Sequence, residues 1–281
     1  MLIIKSVSEY KKWRQSIRDD FETVGLVPTM GALHDGHASL LAEAKKKCRR
    51  VVLSIFVNPS QFGPGEDFEE YPRTFSEDCA LAEAQGVDVV FAPSADEMYP
   101  EGYSTYVNEE FLSLPLCGES RPGHFRGVTT IVLKLFHIIE PQSAFFGLKD
   151  AQQFFVLKKM AEDLNLDVEL VGCPTVREGD GLAMSSRNRY LSDADREIAP
   201  ELRRTILSAK ERLLSSAPIM DVLDLTRVDL EARGFIVQYF ECLRLPLLVA
   251  PVEASLIEGV EYLIAAAVKL GETRLIDNEL I

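Results

Sequence analysis

Residues 27–37 read Val-Pro-Thr-Met-Gly-Ala-Leu-His-Asp-Gly-His, a turn with two glycines and two histidines. Residues 23–27 are short, apolar and largely β-branched, which predicts a buried parallel strand. Leu40, Leu41 and Ala44 then recur at helical spacing. A strand that breaks into such a turn and opens a helix aims backbone N–H groups above the sheet edge, and glycine lets an anion come close. His34 and His37, three residues apart, are placed to face the same phosphate. Such a pair could also ligate a metal or be incidental. A helical metal pair normally reads His-x-x-x-His with a third ligand nearby, and no Cys or Glu arrangement supplies one here. Phosphate binding is the expected chemistry.

Other residues of the right type cluster elsewhere. Residues 58–65 follow an apolar run at 51–57, and within them Gln61 can both donate and accept, which suits a carboxylate or hydroxyl. The plainer reading is that Asn58 and Gln61 stabilise a turn. Lys149 and Asp150 open a helix after a strand at 143–146. There a lysine neutralises phosphate and an aspartate takes ribose hydroxyls, or both merely cap and solvate the helix. Gln153 lies one turn further on. Met184-Ser185-Ser186-Arg187 offers hydroxyls, serial N–H groups and a guanidinium on a loop able to close over a triphosphate. Arg121, His124 and Arg126 suggest a second anion site or a subunit contact. Glu77 and Asp78 fit either a solvated helix face or contact with a phosphate-held magnesium ion. His137 reads as a packed core histidine, and Trp13 as packing.

These residues need a scaffold. Residues 2–7 predict a strand, and Ser8 a cap for a helix through Arg18. Apolar strands at 51–57, 87–91, 143–146 and 168–176 alternate with helices at 74–85, 127–139 and 151–164, with one short strand near 105–107. Such alternation predicts an α/β parallel sheet covered on both faces, with ligands at the carboxyl ends of its strands. Residues 177–196 have the texture of a linker and hinge. Beyond them, Ser192 and Asp195 form a capping-box start for one helix with an apolar face at 198–213. A helix at 220–233 and strands at 235–243, 260–270 and 274–276 complete a small α+β unit. The expected domains are 1–176 and 177–281, with a hinge or lid at 177–191.

Composition narrows the classes. The 281 residues are 47% hydrophobic and 26% charged, enough for a sizeable core. A net charge of −14 argues against a general nucleic-acid or anionic-membrane surface. Five cysteines without a Cys-x-x-Cys motif suit reduced thiols rather than a disulfide framework or zinc site. Neither a secretory leader nor a bilayer-spanning run is evident, so a cytoplasmic protein is expected.

The His-x-Gly-His turn with a later Met-Ser-Ser-Arg loop resembles the HIGH and KMSKS pair of the nucleotidyltransferase and class I aminoacyl-tRNA synthetase group. PTMGALHDGH, SIFVNPSQF, YPRTFSEDC, RPGHFRGVTTIVLKLF, FGLKDAQQ, DGLAMSSRNRYL and TRLIDN together resemble the pantoate–β-alanine ligase family over nearly the whole chain. Leu148 departs from it, since the family often carries Glu within FGxKD.

The resemblance implies a Rossmann-like parallel-sheet domain followed by a smaller α+β domain. It also implies ATP-dependent joining of pantoate to β-alanine through pantoyl adenylate, releasing pyrophosphate and AMP. By that likeness His37 and His34, with Lys149 and Arg187, are catalytic. Met30, Gly31, Ala32, Leu33, Asp35, Gly36, Gly147, Leu148, Asp150, Val176, Met184, Ser185 and Ser186 complete the ATP site. Gln61 and Gln153 bind pantoate, with Gln61 also near β-alanine. ATP comes with Mg²⁺, whose protein ligands are not indicated, and a homodimer is implied. A transferase that leaves AMP on its product and a nucleotide-binding regulatory module are the rival classes. A tRNA synthetase fits poorly, because the chain is acidic and shows no anticodon-binding domain.

Overall fold

The computed structural model describes residues 1–17 and 22–281. In chain order its elements are β1 (Leu2–Ile4), α1 (Val7–Ser16), β2 (Val24–Thr29), α2 (Asp35–Lys47), β3 (Arg50–Ile55), α3 (Phe75–Ala84) and β4 (Val89–Phe91). Then come α4 (Ala95–Met98), α5 (Cys117–Ser120), α6 (His124–Ile139), β5 (Ser143–Gly147), α7 (Ala151–Asp163) and β6 (Glu169–Cys173). The chain ends with α8 (Asp193–Ile198), α9 (Glu201–Leu214), α10 (Ile219–Ala232), β7 (Ile236–Arg244), β8 (Tyr262–Leu270) and β9 (Thr273–Leu280). Short 3₁₀ turns occupy Pro59–Gln61, Leu148–Asp150 and Ser186–Tyr190. Two compact units result: Met1–Ser113 with Arg121–Leu148 and Gln153–Pro174, and Leu114–Ser120 with Lys149–Gln152 and Thr175–Ile281.

In the first unit six parallel strands run in the order β1-β4-β3-β2-β5-β6. The chain builds from β2 through β3 to β4 on one side, then resumes at β5 on the other side of β2. The topological switch point therefore lies between β2 and β5, where open α/β sheets leave a crevice at the carboxyl ends. Val27, Leu53, Val90 and Phe145 bury one sheet face with Leu41 and Ala44 of α2 and Ala82 of α3. Elsewhere in this unit α1 packs on α6, and the buried Tyr10 ring meets Phe91 edge-on at 5.4 Å. In the second unit β7, β8 and β9 form an antiparallel sheet. Phe240, Tyr262 and Ile264 share its core with Leu202 and Ile206 of α9 and Leu223 of α10.

Local expectations fail where a competing hydrogen bond wins. Ser6, not Ser8, caps α1, its Oγ accepting from Glu9 N at 3.2 Å. The expected extension of that helix to Arg18 lies outside the described residues. No strand forms at 105–107, because Val107 is tied to helix hydroxyls instead. Its N–H donates to Thr130 Oγ1 at 3.0 Å and its carbonyl accepts from Thr129 Oγ1 at 2.7 Å. The helix expected through 198–213 is split into α8 and α9 at Pro200, which has no N–H to continue the ladder. Ser192 does cap α8, accepting from Asp195 N at 3.1 Å. His137 is exposed rather than packed in the core. All five cysteines are free thiols.

Asp88 ties the amino ends of the first unit's strands. Its carboxylate accepts from Val51 N at 2.9 Å, Arg50 Nη1 at 3.0 Å and Lys45 Nζ at 3.1 Å. Burial alone would raise its pKa, but these three donors hold it below the ordinary aspartate value. A depressed carboxylate stabilises the fold above its unfolded pKa, near 3.9, and loses that contribution as pH falls through the folded value. Asp88→Asn should therefore cost roughly 1–3 kcal/mol at neutral pH. Urea unfolding at pH 7 and again well below pH 3.9 should show the gap from wild type closing on the acid side.

Candidate active site

In the turn after β2 the amides of Gly31, Ala32, Leu33 and His34 each have an acceptor within the protein. Thr29 Oγ1 donates to Ser54 O at 2.8 Å and accepts from Gly31 N at 3.2 Å. Gly31 and Ala32 both sit at positive φ, +85° and +50°. Asp78, buried on α3, accepts from Ala32 N at 3.0 Å and Leu33 N at 2.8 Å, and Thr74 Oγ1 braces it at 3.1 Å. A Cβ on Gly31 would lie 2.9 Å from Asp78 Oδ2, so position 31 requires glycine for both angle and space. Asp78 is thus neither a solvated residue nor a metal ligand in waiting: it is the clamp of the turn. The amides of Ala32 and Leu33 are committed to this carboxylate.

What the turn offers an anion is imidazole. His34 caps α2, with its Nδ1 accepting from Gly36 N at 3.1 Å, while His37 Nδ1 accepts from His34 N at 3.3 Å. The rings lie 4.2 Å apart between centroids. A nitrogen that accepts a backbone N–H carries no proton, so the neutral rings hold theirs on Nε2. Protonating Nδ1 would set N–H against N–H and break the cap.

Gln61 ends the 3₁₀ turn after β3 and reaches the same turn, its Nε2 directed at Met30 Sδ at 2.9 Å. Its orientation is dictated by backbone groups. Ser60 N can only donate and Gly127 O can only accept, and they meet Asn58 Oδ1 at 3.3 Å and Nδ2 at 3.1 Å. Asn58 Nδ2 also donates to Gln61 Oε1 at 3.1 Å, which fixes the Gln61 NH₂ as the end that meets Met30 Sδ. Burial pushes the Tyr99 hydroxyl up to about 12, and it donates to Asn58 Oδ1 at 2.8 Å. A Cβ on Gly127 would lie 2.2 Å from Ser60 O, so only glycine lets α6 abut this turn. His124 Nδ1–H donates to Gln61 O at 2.8 Å and Nε2 accepts from Arg121 Nη1 at 3.1 Å. Arg121 in turn makes a bidentate pair with Glu66 at 2.7 and 2.6 Å. Burial would raise the Glu66 pKa, but Arg121 holds it below the ordinary range. Arg121 and His124 therefore brace Gln61 instead of forming a second anion site. Arg126 lies over the Tyr106 ring, 3.9 Å from its centroid.

In the second unit the expected linker is an ordered hairpin. Met184 N donates to Val176 O at 3.0 Å, Glu178 N to Leu182 O at 2.8 Å, and Arg177 bridges Ala183. Ser185 Oγ caps the following 3₁₀ turn at Arg187 N, 3.3 Å away. Asn188 ties that turn back to Glu178 Oε1 at 2.6 Å and Ala183 O at 3.1 Å. Lys149 lies 3.7 Å from the half-exposed Asp150 carboxylate, and its carbonyl accepts from Asn278 Nδ2 at 2.8 Å. The 3₁₀ turn bearing Ser186 and Arg187 packs against β9, the strand that carries Asn278. In the first unit Gln153 is half-buried on the opening turn of α7. Gly147 ends β5, and the Leu148 side chain covers Gly172. Among the described residues no three His, Cys, Asp or Glu side chains gather as a metal cage.

A family model of pantoate–β-alanine ligases matches residues 2–280. The chain belongs to the pantoate–β-alanine ligase family. It is 49% identical to the pantothenate synthetase of Acetivibrio thermocellus over 289 aligned residues, covering 100% of this chain and 99% of that one. Identity to the Geobacter sulfurreducens enzyme is 50% over 282, covering 99% and 98%. The crystal structure of pantothenate synthetase from Thermus thermophilus superposes with a TM-score of 0.91 at 42% identity, with 99% of each chain covered. That of the Francisella tularensis pantoate–β-alanine ligase, complexed with β-γ ATP and β-alanine, gives 0.83 at 33% identity over 100% and 97%.

Within this ligase fold, three functional supports carry little signal of their own in the sequence. Asp78 is one acidic residue on a helix. Asn58 resembles any turn asparagine, and Asn278 lies in a terminal string whose role the resemblance leaves unstated. Asp78→Asn keeps the shape but replaces one acceptor with an NH₂ facing a backbone N–H. We expect a loss of roughly 1–3 kcal/mol in urea unfolding, together with slower pyrophosphate release. An unchanged unfolding midpoint would show that this carboxylate does not hold the turn.

Proposed function

We propose that the chain joins pantoate to β-alanine in two half-reactions on one bound ATP. A pantoate carboxylate oxygen attacks the α-phosphorus, the Pα–O bond to the β-phosphate breaks, and pyrophosphate leaves. The β-alanine nitrogen then attacks the acyl carbon of pantoyl adenylate, loses a proton, and expels AMP. The observation that carries this reading is the histidine capping box at the switch point, which supplies two Nε2–H donors where phosphoryl charge grows.

In this reading His34 and His37 stabilise the α-phosphoryl group, with His37 the more important. Lys149 and Arg187 hold the β- and γ-phosphates in line for departure. Gln61 donates to pantoate and stays near β-alanine, and Gln153 binds pantoate. Met30, Gly31, Ala32, Leu33, Asp35, Gly36, Gly147, Leu148, Asp150, Val176, Met184, Ser185 and Ser186 line the nucleotide site. ATP enters as its Mg²⁺ complex. The domain at 177–281, with its lid at 177–191, closes to keep water from the adenylate. We further propose a cytoplasmic homodimer.

Incubation with ATP, Mg²⁺, pantoate and β-alanine should give pyrophosphate and AMP, with AMP release requiring the amine. Pyrophosphate without AMP in the presence of β-alanine would mark a transferase, and ATP bound but never consumed would mark a binding module. His37 is tested by two substitutions that separate capping from donation. In His37→Asn the Oδ1 takes over the Nδ1 cap but the Nε2 donor is gone, so adenylation should slow about 10²–10³-fold with stability kept. His37→Gln should do the reverse, retaining more rate and losing the cap. Equal rates for the two variants in a pre-steady-state assay would remove the Nε2 donor from the mechanism.

A further inference from the structure

The last strand carries two consecutive buried polar side chains, Asp277 at 4% exposure and Asn278 at 9%. Burying them is costly unless each is fully paired, and each is paired to an element of the second unit that presents a cation. Asp277 takes both Arg177 nitrogens, Oδ2 from Nη1 at 2.7 Å and Oδ1 from Nη2 at 2.9 Å. Arg177 Nη1 also donates to Gly181 O at 3.1 Å, so the grip extends across the hairpin that leads into Met184–Arg187. Asn278 Nδ2 donates to Lys149 O at 2.8 Å, and a carbonyl can only accept, so the amide orientation is fixed. Neighbouring residues on a strand point to opposite faces, so β9 reaches the hairpin base and the Lys149 turn from its two sides.

The strand is a firm mount for both. It pairs along its length with β8, with Asp277 opposite Ala266 and Asn278 opposite Ala265. Glu279 binds Arg203 at 2.7 Å and Lys210 at 2.5 Å on α9, and Arg203 Nη1 reaches Asn278 O at 3.3 Å. Burial would raise the Glu279 pKa, but these two cations hold it below the ordinary range.

We propose that Asn278 is a positioning residue for Lys149, and that with Asp277 it makes β9 the part that sets the separation of Lys149 from the loop bearing Arg187. This rests on the reading that those two cations meet the triphosphate. The strand touches no substrate in this scheme: it fixes where two charges stand when the pyrophosphate departs.

The test is a double-substitution cycle on the full chain, combining Asn278→Leu, which removes the donor at similar size, with Lys149→Ala. Mg·ATP affinity is read by calorimetry and adenylation by pre-steady-state pyrophosphate release. Alone, Asn278→Leu should weaken Mg·ATP about tenfold and slow adenylation about 100-fold, the scale of an ångström-level misplacement. The KM for pantoate should stay within about twofold, on the same reasoning. With Lys149→Ala already present, Asn278→Leu should have almost no further effect, because neither substitution then has a partner to act through. Equal losses in both backgrounds, or losses in every constant that follow the melting temperature, overturn the proposal. Should Asn278→Leu fail to fold, Asn278→Ser is read in the same cycle. Because affinity is measured without turnover, an inactive wild-type chain would refute the ligation reading while the cycle still decides the positioning role.

Discussion

A carboxylate that accepts two consecutive backbone N–H groups fixes the geometry on which the rest of the site depends. Asp78 holds the amides of Ala32 and Leu33 while the chain passes through two left-handed residues, one of them not glycine. A non-glycine residue at positive φ is strained, and persists only where its surroundings over-determine it. The clamp supplies that constraint, and it releases His34 into the extended conformation needed to cap α2. The caps in turn select the imidazole tautomer. A helix terminus usually binds anions through its own amides. Here the amides of His34 and Gly36 are capped by imidazole Nδ1 atoms, which leaves each ring's proton on Nε2.

The same logic operates at Gln61. An amide side chain is ambiguous by itself, since either end can face a substrate. Asn58 removes the ambiguity, and Asn58 is itself fixed by Ser60 N and Gly127 O, which cannot exchange roles. The two amide orientations are therefore set together. His124 and Gly127 hold the backbone of this turn against α6, so the orientation survives thermal motion of the loop.

Much of this fold was legible in the sequence for a physical reason. A buried parallel strand must be apolar on both faces, so β2, β3, β4 and β5 announce themselves as runs. The turn at the carboxyl end of β2 was legible because Gly31, His34 and His37 sit where a strand must give way to a helix. Less visible were contacts whose partners lie far apart in sequence. Nothing at position 78 reveals that its carboxylate closes a turn begun at residue 29, and nothing in Asn278 reveals Lys149. Short-range cues misled where two candidates competed: Ser6 and Ser8 flank the start of α1, and only one can take the extended conformation of a cap. The stretch at 177–196 reads as a linker and hinge because its glycines and acids suit turns. Those same residues make a tight hairpin once Asn188 and Arg196 pair with Glu178.

An acidic chain that handles a polyanion must keep its cations from being neutralised. Most of the arginines in these networks are committed to carboxylates: Arg121 to Glu66, Arg177 to Asp277, Arg196 to Glu178 and Asp180. Those pairs are structural, and their fields cancel over short distances. The remaining net charge of −14 is distributed over the whole chain, and at physiological ionic strength its reach is about 8 Å. A bound triphosphate therefore responds mainly to the groups within contact distance. That places the demand on the position of the nearby groups rather than on total charge. Buried polar side chains such as Asp277 and Asn278 fix their partners' positions through hydrogen bonds. An apolar contact fixes a distance loosely, while a hydrogen bond to a backbone carbonyl fixes both distance and direction.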